Sequence, residues 1–421
     1  MPPPGRQIDS VRMLQPIYVR LQPLQNGSVI LWEAVPQSFQ DHVGTIDLSV
    51  LAVFVSSNAL SLNLSRDAVG NLWLTVNYTF DEGDYISSLI WVSSETISEN
   101  LTIPEFVPFP ESYPEEVKPF LEPGRNIPVN DTNIQRIATE NKTQNMVETV
   151  RNVLDFVTES QEYNRETIKL FMNGSLETTN ILDSVKDPIE CMETGSSFCF
   201  ERSLYATTIL RAAGVPARTF TDAGLKTWIQ VWLLGVGWVD AEALCILPPP
   251  MFPRSLSSSM PWMVQNSSHA MFPFYWHPEI SMRVANLTFS DVEAFNVGEY
   301  GTILCEPIDI EVFEQNPDKF GFPVIFEPEI VYVAITQNET NLALTIIKDK
   351  EEESKILALG ETNKVALADV VLSFEPIIQG DFVVLRNFTV RPTWRLDILW
   401  LFPVIGVSAV MVLWVYWRRR H

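Results

Sequence analysis

The sequence predicts an α+β fold in which a helix-containing core is flanked by two β-sandwich-like domains and followed by one transmembrane helix. Three observations carry this prediction. Strand-type runs fill residues 17–93 and return at 279–391, helical periodicity begins after residue 131, and an uncharged stretch of 20 residues covers 398–417. The length of 421 residues suits two to four domains, at about 100–200 residues per domain.

The charge balance excludes one class of partner. With 52 acidic against 29 basic side chains, the chain has a formal net charge of −23. A nucleic-acid surface needs clustered cations, and no basic block occurs outside the last few residues, so we expect no nucleic-acid partner. The chain also has few histidines, and we therefore expect no His-based metal site. We also expect no cofactor. These histidines are His42, His269, His277 and His421.

The two flanking ranges show strand-type composition. Runs such as LWLTVNYTF (72–80) and PEIVYVAIT (328–336) are rich in β-branched and aromatic residues, with turn residues between successive runs. Six or so short strands over the first range indicate a small sandwich, by the spacing typical of that architecture. The Pro- and aromatic-rich stretch 246–280 is too apolar for a free linker, so we expect it to pack on a neighbouring domain.

The stretch 398–417, ILWLFPVIGVSAVMVLWVYW, has the length and apolar composition needed to cross hydrocarbon as a helix. Trp400 lies near one end and Trp414 near the other, as in an aromatic belt. The run Arg418–Arg420 follows at once and predicts a cytoplasmic C-terminus with the bulk of the chain outside. We therefore expect a single-pass protein of the cell membrane.

Acceptor sites for N-glycosylation support this orientation. Chance would give about 3 Asn-x-Ser/Thr sites by composition, whereas the chain has 11. All of them precede the apolar stretch: Asn26, Asn63, Asn77, Asn100, Asn130, Asn141, Asn173, Asn266, Asn286, Asn338 and Asn387. Residues 1–16 contain no apolar signal region. Either the start is processed or truncated, or the protein is tail-anchored with its bulk in the cytosol, and the acceptor sites favour the first.

The segment 196–218, SSFCFERSLYATTILRAAGVPAR, carries the candidate chemistry. Ser197 is the expected helix N-cap, which places Cys199 in the first helical turn, and Gly214 ends the helix. The helix dipole and the unpaired N–H groups favour a thiolate at that position. A thiolate facing a strand that supplies a histidine, which a carboxylate orients, is the arrangement used for acyl transfer.

This segment resembles the core of the transglutaminase-like superfamily, whose mechanism is similar to that of papain-type cysteine proteases. That family's cysteine is followed, twelve residues later, by R-A-x-G-[IV]-P-A-R. Cys199 leads in this register to Arg211, Ala212, Gly214, Val215, Pro216, Ala217 and Arg218. The family's strand H-A-W-x-E-V-[YW] corresponds to residues 226–232, KTWIQVW, and its later tryptophan to Trp238. The helix at 146–157 and the segment D-P-I-E-C at 187–191 also fit, so the resemblance covers about residues 120–245.

The departures from the family pattern bear on activity. Lys226 stands where the family has its histidine. The acid position fits Glu242 by the usual spacing and Asp240 if two residues were deleted, and strand periodicity does not choose between them. Lysine has a pKa near 10.4, and lowering it by about three units would require roughly 4 kcal/mol. The resemblance therefore implies degenerate triad positions at Cys199, Lys226, and Glu242 or Asp240.

Two further hypotheses concern the missing histidine and the pairing of the cysteines. His269 or His277 could stand in for the missing histidine, although packing among aromatic side chains is the simpler use. An exported chain could also pair its four cysteines as two disulfides in any of three ways. A disulfide at Cys199 would be consistent with lost catalysis. The cysteines are Cys191, Cys199, Cys245 and Cys305.

With the resemblance, the predicted architecture is a transglutaminase-like core between two β-rich domains. Its parts are an N-terminal β-rich domain with its connector at 1–118, the transglutaminase-like domain at 119–250, a packed connector at 251–279, a membrane-proximal β-rich domain at 280–394, the transmembrane helix at 396–417 and a cytoplasmic tail at 418–421. The expected function is an inactive domain in a structural or binding role at the cell surface, with a surface protein or glycan as partner. The alternatives are a membrane-anchored thiol hydrolase or transamidase with Cys199 as nucleophile, and a subunit of a surface assembly.

Overall fold

The structure is a computed structural model that carries side chains. It describes residues 10–35, 38–41, 44–67, 71–98, 103–124, 126–179, 185–222, 227–241, 261–264, 274–288, 300–326, 329–338, 341–348, 351–367, 370–379 and 381–392. The predicted transmembrane stretch 398–417 therefore lies outside the described residues. Among those that are described, none of the helices is long and apolar enough to cross a bilayer.

The described chain is rich in strands, which fall into an N-terminal group, a middle group and a C-terminal group. The N-terminal strands are β1 (Ser10–Pro23), β2 (Gly27–Val35), β3 (Phe39–Asp41), β4 (Gly44–Ser56), β5 (Ala59–Arg66), β6 (Leu72–Phe80) and β7 (Ile86–Ser98). The middle strands are β8 (Glu162–Tyr163), β9 (Leu176–Thr178), β10 (Ser196–Ser197), β11 (Ala217–Asp222), β12 (Thr227–Leu233), β13 (Gly237–Ala241), β14 (Pro261–Val264) and β15 (Phe274–His277). The C-terminal strands are β16 (Met282–Thr288), β17 (Tyr300–Cys305), β18 (Ile308–Asp309), β19 (Phe322–Phe326), β20 (Glu329–Gln337), β21 (Leu342–Lys348), β22 (Glu351–Ile356), β23 (Asn363–Leu367), β24 (Val370–Gln379) and β25 (Phe382–Pro392).

The helices concentrate between the two β-rich ranges. They are α1 (Thr132–Asn141), α2 (Met146–Ser160), α3 (Arg165–Met172), α4 (Pro188–Thr194) and α5 (Cys199–Ala212), with the short α6 (Ile310–Gln315) and α7 (Pro317–Phe320) further on. The predicted helical periodicity of 146–157 is thus met by α2, whose buried residues include Val150, Val153 and Val157. Asn145 caps α2 by accepting from the Val147 N–H at 3.1 Å.

The two β-rich ranges share one ten-stranded sheet, which we call the central sheet. Its order is β23-β24-β25-β17-β4-β7-β1-β16-β9, with β3 paired to β4. The junctions are antiparallel pairs, β17 with β4 and β1 with β16, so strands from opposite ends of the chain lie side by side. The sequence predicts a separate sandwich at each end. The two ranges are β-rich as predicted, but the long strands β1 and β4 are completed by C-terminal partners.

The central sheet is covered on both faces, as its strand periodicity requires. In β4, Val53 and Val55 enter one core, and the alternate residues Ala52 and Phe54 enter another. The first core lies under the four-stranded sheet β15-β2-β6-β5, and the second lies under the sheet of β18, β20, β21 and β22 with β19. The result is three layers of β-structure. The boundaries of the predicted domains stay a prediction.

The helical middle forms a layer of its own. Helices α1, α2 and α4 pack around α5, and α5 packs on the sheet β13-β12-β11-β14. Their shared core includes Val150 of α2, Ile209 of α5 and Ile229 of β12. The start of α5 leaves this core, because Phe198, Phe200 and Leu204 join the first core of the β layers. The N-terminal end of α5, which carries Cys199, therefore packs against the first core, between the central sheet and the sheet β15-β2-β6-β5.

Candidate functional site

Cys199 is the first residue of α5, in a half-buried position. The sequence predicts Ser197 as the cap, but the structure places Phe198 at the N-cap and Ser197 in the short strand β10. Phe198 has no side-chain acceptor, so the first turn is closed from within the helix. Gly214 follows the end of α5 with φ of +84°, a conformation that glycine adopts without strain.

Glu201 makes the side-chain hydrogen bonds at the start of α5, where Ser197 was expected to act as the cap. Its carboxylate accepts from the N–H of Phe198 at 3.0 Å and from the N–H of Lys186 at 2.8 Å. The side chain is buried, and burial raises the pKa of Glu201 although both hydrogen bonds act in the opposite direction. This carboxylate fixes the turn that carries Cys199 and ties it to the segment before α4.

Tyr163 is a described side chain next to Cys199, and Arg202 lies beside the Tyr163 ring. Tyr163 reaches this place because β8 pairs in parallel with β10, which aligns Tyr163 with Ser197. Burial, then the charge of Cys199 and a hydrogen bond with it, raise the pKa of Tyr163. The Arg202 guanidinium carbon lies 5.6 Å from the Tyr163 ring centroid, and its Nη2 donates to the Gln161 carbonyl oxygen at 2.6 Å. The thiol thus has a phenol close to it, and that phenol in turn has a guanidinium beside it.

The strand expected to supply the base begins one helical turn from Cys199. Ser203 Oγ of α5 donates to the carbonyl oxygen of Thr227, the first residue of β12, at 3.1 Å. Residues 223–226 and 242–250 lie outside the described residues, and with them Lys226 and Glu242. Their geometry toward Cys199 therefore stays a prediction.

Asp240, the other acid candidate, is held in a polar chain across three strands. The Gln230 Nε2 donates to its Oδ1 at 2.7 Å, and Gln230 Oε1 accepts from the Arg218 Nε at 2.9 Å. Gln230 and Asp240 are buried and face each other in the β12–β13 pair. The Arg218 guanidinium lies 4.0 Å from the centroid of the Trp238 ring. Gln230 stands where the family has glutamate, and its side-chain amide donates a hydrogen bond to Asp240.

The other candidates from the sequence are two histidines and the remaining cysteines. His277 is exposed at the end of β15, paired with Ile30 of β2, and His269 lies outside the described residues. No disulfide joins the three described cysteines, Cys191, Cys199 and Cys305, and Cys245 lies outside the described residues. Burial raises the pKa of both Cys191 and Cys305. Over the described ranges, no group of three or more metal-ligating side chains occurs.

Sequence reasoning missed Tyr163, Arg202 and Glu201. Glu201 lacked a clear signal, because a capping box has its glutamate three residues after a Ser or Thr cap, whereas the expected cap Ser197 lies four residues before it. Arg202 follows Cys199 by three positions, which places both on one helix face. Tyr163 had no sequence signal, since a two-residue parallel pairing brings it to the site.

Comparison with known proteins places this site in a family. Residues 133–243 match the Transglutaminase-like superfamily, so the chain carries a transglutaminase-like domain over this range. No curated protein gives a match.

Two solved structures are similar. A candidate cysteine protease from Cytophaga hutchinsonii shares 13% identity at a TM-score of 0.46, covering 68% of this chain and 94% of its own. A candidate protease from Parabacteroides distasonis ATCC 8503 shares 9% identity at a TM-score of 0.21, covering 83% of this chain and 85% of its own. The family assignment rests on the match over residues 133–243.

Proposed function

We propose that this protein is a single-pass glycoprotein of the cell surface whose transglutaminase-like domain has lost acyl-transfer chemistry and serves a structural or binding role. The observation that carries the proposal is Lys226 at the family's histidine position. A general base must accept the thiol proton and return it to the leaving group near ambient pH, and an ammonium group does this poorly. In this proposal the bulk of the chain is extracellular and the C-terminus is cytoplasmic, with residues 398–417 as the membrane anchor and a surface protein or glycan as the partner.

The environment of Asp240 supports this proposal. In a working triad the acid accepts from the histidine and fixes its orientation. Here the Asp240 Oδ1 accepts from the Gln230 amide at 2.7 Å, in a chain that continues to Arg218. A polar chain of this kind serves the packing of the β11–β13 strands, a role that needs no catalysis.

The accessibility of the acceptor asparagines supports glycosylation. Seven of them are exposed: Asn26, Asn63, Asn77, Asn130, Asn173, Asn338 and Asn387. Asn141 is half-buried, the side chain of Asn286 is not described, and Asn100 and Asn266 lie outside the described residues. Enzymatic removal of N-glycans from the protein expressed in a eukaryotic secretory system should lower its mass, and an unchanged mass would contradict this part of the proposal.

A membrane-anchored thiol hydrolase or transamidase is the second candidate, and the surroundings of Cys199 favour it. A hydroxyl that donates to a thiol at a helix N-terminus promotes the thiolate form. Such an enzyme would act on amide bonds of proteins or peptides, with Cys199 as nucleophile and Lys226 as the group that exchanges the proton.

Alkylation of Cys199 separates the two functions. The full chain in detergent is treated with iodoacetamide near neutral pH, and labelling of Cys199 is followed by peptide mass spectrometry. The proposed function predicts slow labelling that Lys226→Ala leaves unchanged. Rapid labelling that Lys226→Ala abolishes would overturn it in favour of the enzyme. Lys226→Arg is the matched control, since it keeps the positive charge but cannot give up a proton.

A further inference from the structure

A carboxyl group is buried inside the β layers, far from any role in the proposed function. Glu33 lies in β2 with no exposed surface, among strand residues that form the first core. Its neighbours across the sheet are Leu74 of β6 and Phe274 of β15, both fully buried and apolar. Glutamate is almost never fully buried unless it is paired, so this position needs a physical explanation.

The hydrogen bonding of Glu33 is incomplete. Its Oε2 is bonded to Ser88 Oγ of β7, whereas its Oε1 is buried and has no hydrogen-bond partner. An ionised carboxylate offers about four acceptor sites, and a single hydroxyl satisfies one of them. A protonated carboxyl needs fewer hydrogen-bond partners than a carboxylate and carries no charge. The buried, apolar site of Glu33 therefore favours the neutral acid.

Among the described residues, the elements that face Glu33 supply no compensating cation. Tyr78 of β6 is the titratable group that interacts with Glu33, and its hydroxyl donates to the Ser87 carbonyl oxygen at 3.1 Å instead. Burial, and after it the charge of Glu33, raise the pKa of Tyr78, so this phenol is neutral as well. Ser88 of β7, which is hydrogen-bonded to Glu33, and Phe274 of β15, which pairs with Glu33 in the sheet, are both uncharged.

We propose that Glu33 is a proton-dependent stabiliser of the β layers: the folded chain holds this carboxyl protonated at pH values where the unfolded chain has released the proton. Burial raises the pKa of Glu33 from 4.5 to about 8, against the hydrogen bond from Ser88. Between these two values the native state binds one proton more than the unfolded state. The contribution of Glu33 to the free energy of unfolding is fully present below the pKa that this carboxyl has in the unfolded chain. It is lost as pH rises through the pKa that the carboxyl has in the folded chain.

The stabiliser is connected to the candidate site through shared packing. The core that surrounds Glu33 also contains Phe198 and Phe200, and Cys199 packs against it. Loss of the proton therefore weakens the same packed unit that supports the start of α5. The inference stands independently of whether Cys199 is reactive, because its readout is the unfolding equilibrium.

The test is the pH dependence of unfolding of the full chain in detergent, compared between wild type and Glu33→Gln. Glutamine keeps the shape of the neutral acid and cannot ionise. We expect the unfolding constant of wild type, relative to Glu33→Gln, to rise close to tenfold per pH unit between pH 5.5 and 7.5, by proton linkage. Glu82→Gln, which removes an exposed carboxyl near the same strands, should follow wild type. A ratio that stays constant with pH would overturn the proposal.

A second variant keeps the proposal testable if Glu33→Gln does not fold. Ser88→Ala removes the hydroxyl that favours the ionised form, so its pH dependence should extend to higher pH than that of wild type. Infrared difference spectra of wild type should show the loss of a protonated carboxyl band between pH 7 and 9. An unchanged profile in Ser88→Ala, or a spectrum in which no carboxyl titrates above pH 6, would overturn the proposal.

Discussion

The side-chain amide of Gln230 donates to the Asp240 carboxylate at 2.7 Å in the middle of a buried strand pair. An amide suits this place because it adds a donor without adding charge. Gln230→Glu would set two carboxylates against each other with little water, and Arg218, which donates to the Gln230 side-chain oxygen at 2.9 Å, would offset only part of this repulsion. We predict that the free energy of unfolding at pH 7 falls by about 2–4 kcal/mol.

Chemical denaturation at two pH values checks this expectation. On acidification the new carboxyl protonates and can donate to Asp240, so the loss should shrink between pH 7 and pH 5. A change below about 0.5 kcal/mol at pH 7 would mean that the Gln230–Asp240 contact contributes little.

Glu201 accepts two buried N–H groups, and its removal should therefore be costly. Glu201→Ala leaves the N–H groups of Phe198 and Lys186 without these acceptors, so we predict a loss of about 2–4 kcal/mol in denaturant unfolding. Glu190→Ala is the matched control, since Glu190 completes the capping box of α4 from an exposed position. It should lose about 0.5–1 kcal/mol. Equal losses in the two variants would contradict the role assigned to burial.

Tyr163 should control the reactivity of Cys199, whatever its absolute rate. A phenol that donates to the sulfur favours the thiolate, so Tyr163→Phe should slow alkylation of Cys199 about three- to tenfold near neutral pH. Tyr113→Phe is the control, because it also loses a hydroxyl hydrogen bond, in this case to the Gly214 carbonyl oxygen at 2.6 Å. Faster alkylation in Tyr163→Phe would show that the ring mainly shields the thiol.

The central sheet should not form stably without its C-terminal strands. A chain ending at residue 281 lacks β16 and β17, so β1 and β4 would expose long unpaired edges, and we predict aggregation. A chain ending at Pro392 retains every described strand and should remain folded and monodisperse in size-exclusion chromatography. A soluble, folded 1–281 chain would contradict the shared sheet.

Local signals predicted the helical middle well. The apolar spacing after residue 146 predicted α2, and the cysteine-to-GVPAR register with the motif after it predicted α5 and β12. These elements are specified by short-range periodicity and by Gly214, whose positive φ ends the helix. The N-cap differed because Glu201 closes the turn from inside the helix, in place of the expected Ser197.

Long-range pairing explains what sequence reasoning could not reach. Strand composition predicted that both ends of the chain are β-rich. Local sequence patterns do not predict which strands pair with each other across the sheet. The position of Tyr163 beside Cys199 has the same origin, since it follows from a two-residue pairing between β8 and β10. Strand periodicity places Asp240 and Trp238 on the same strand face. The contact between Asp240 and the Gln230 amide could not be predicted in this way, because it depends on the register of the β12–β13 pair.

The shared central sheet also has a consequence for how the chain folds during synthesis. Tyr300 of β17 pairs with Ser56 of β4, residues that lie more than half the chain length apart. A ribosome must therefore complete the whole helical middle before the N-terminal strands meet their last partners. Pairing over such a separation is slow because the closing loop is long. Until then the edges of β1 and β4 remain open, which is the interval in which a chaperone would be needed.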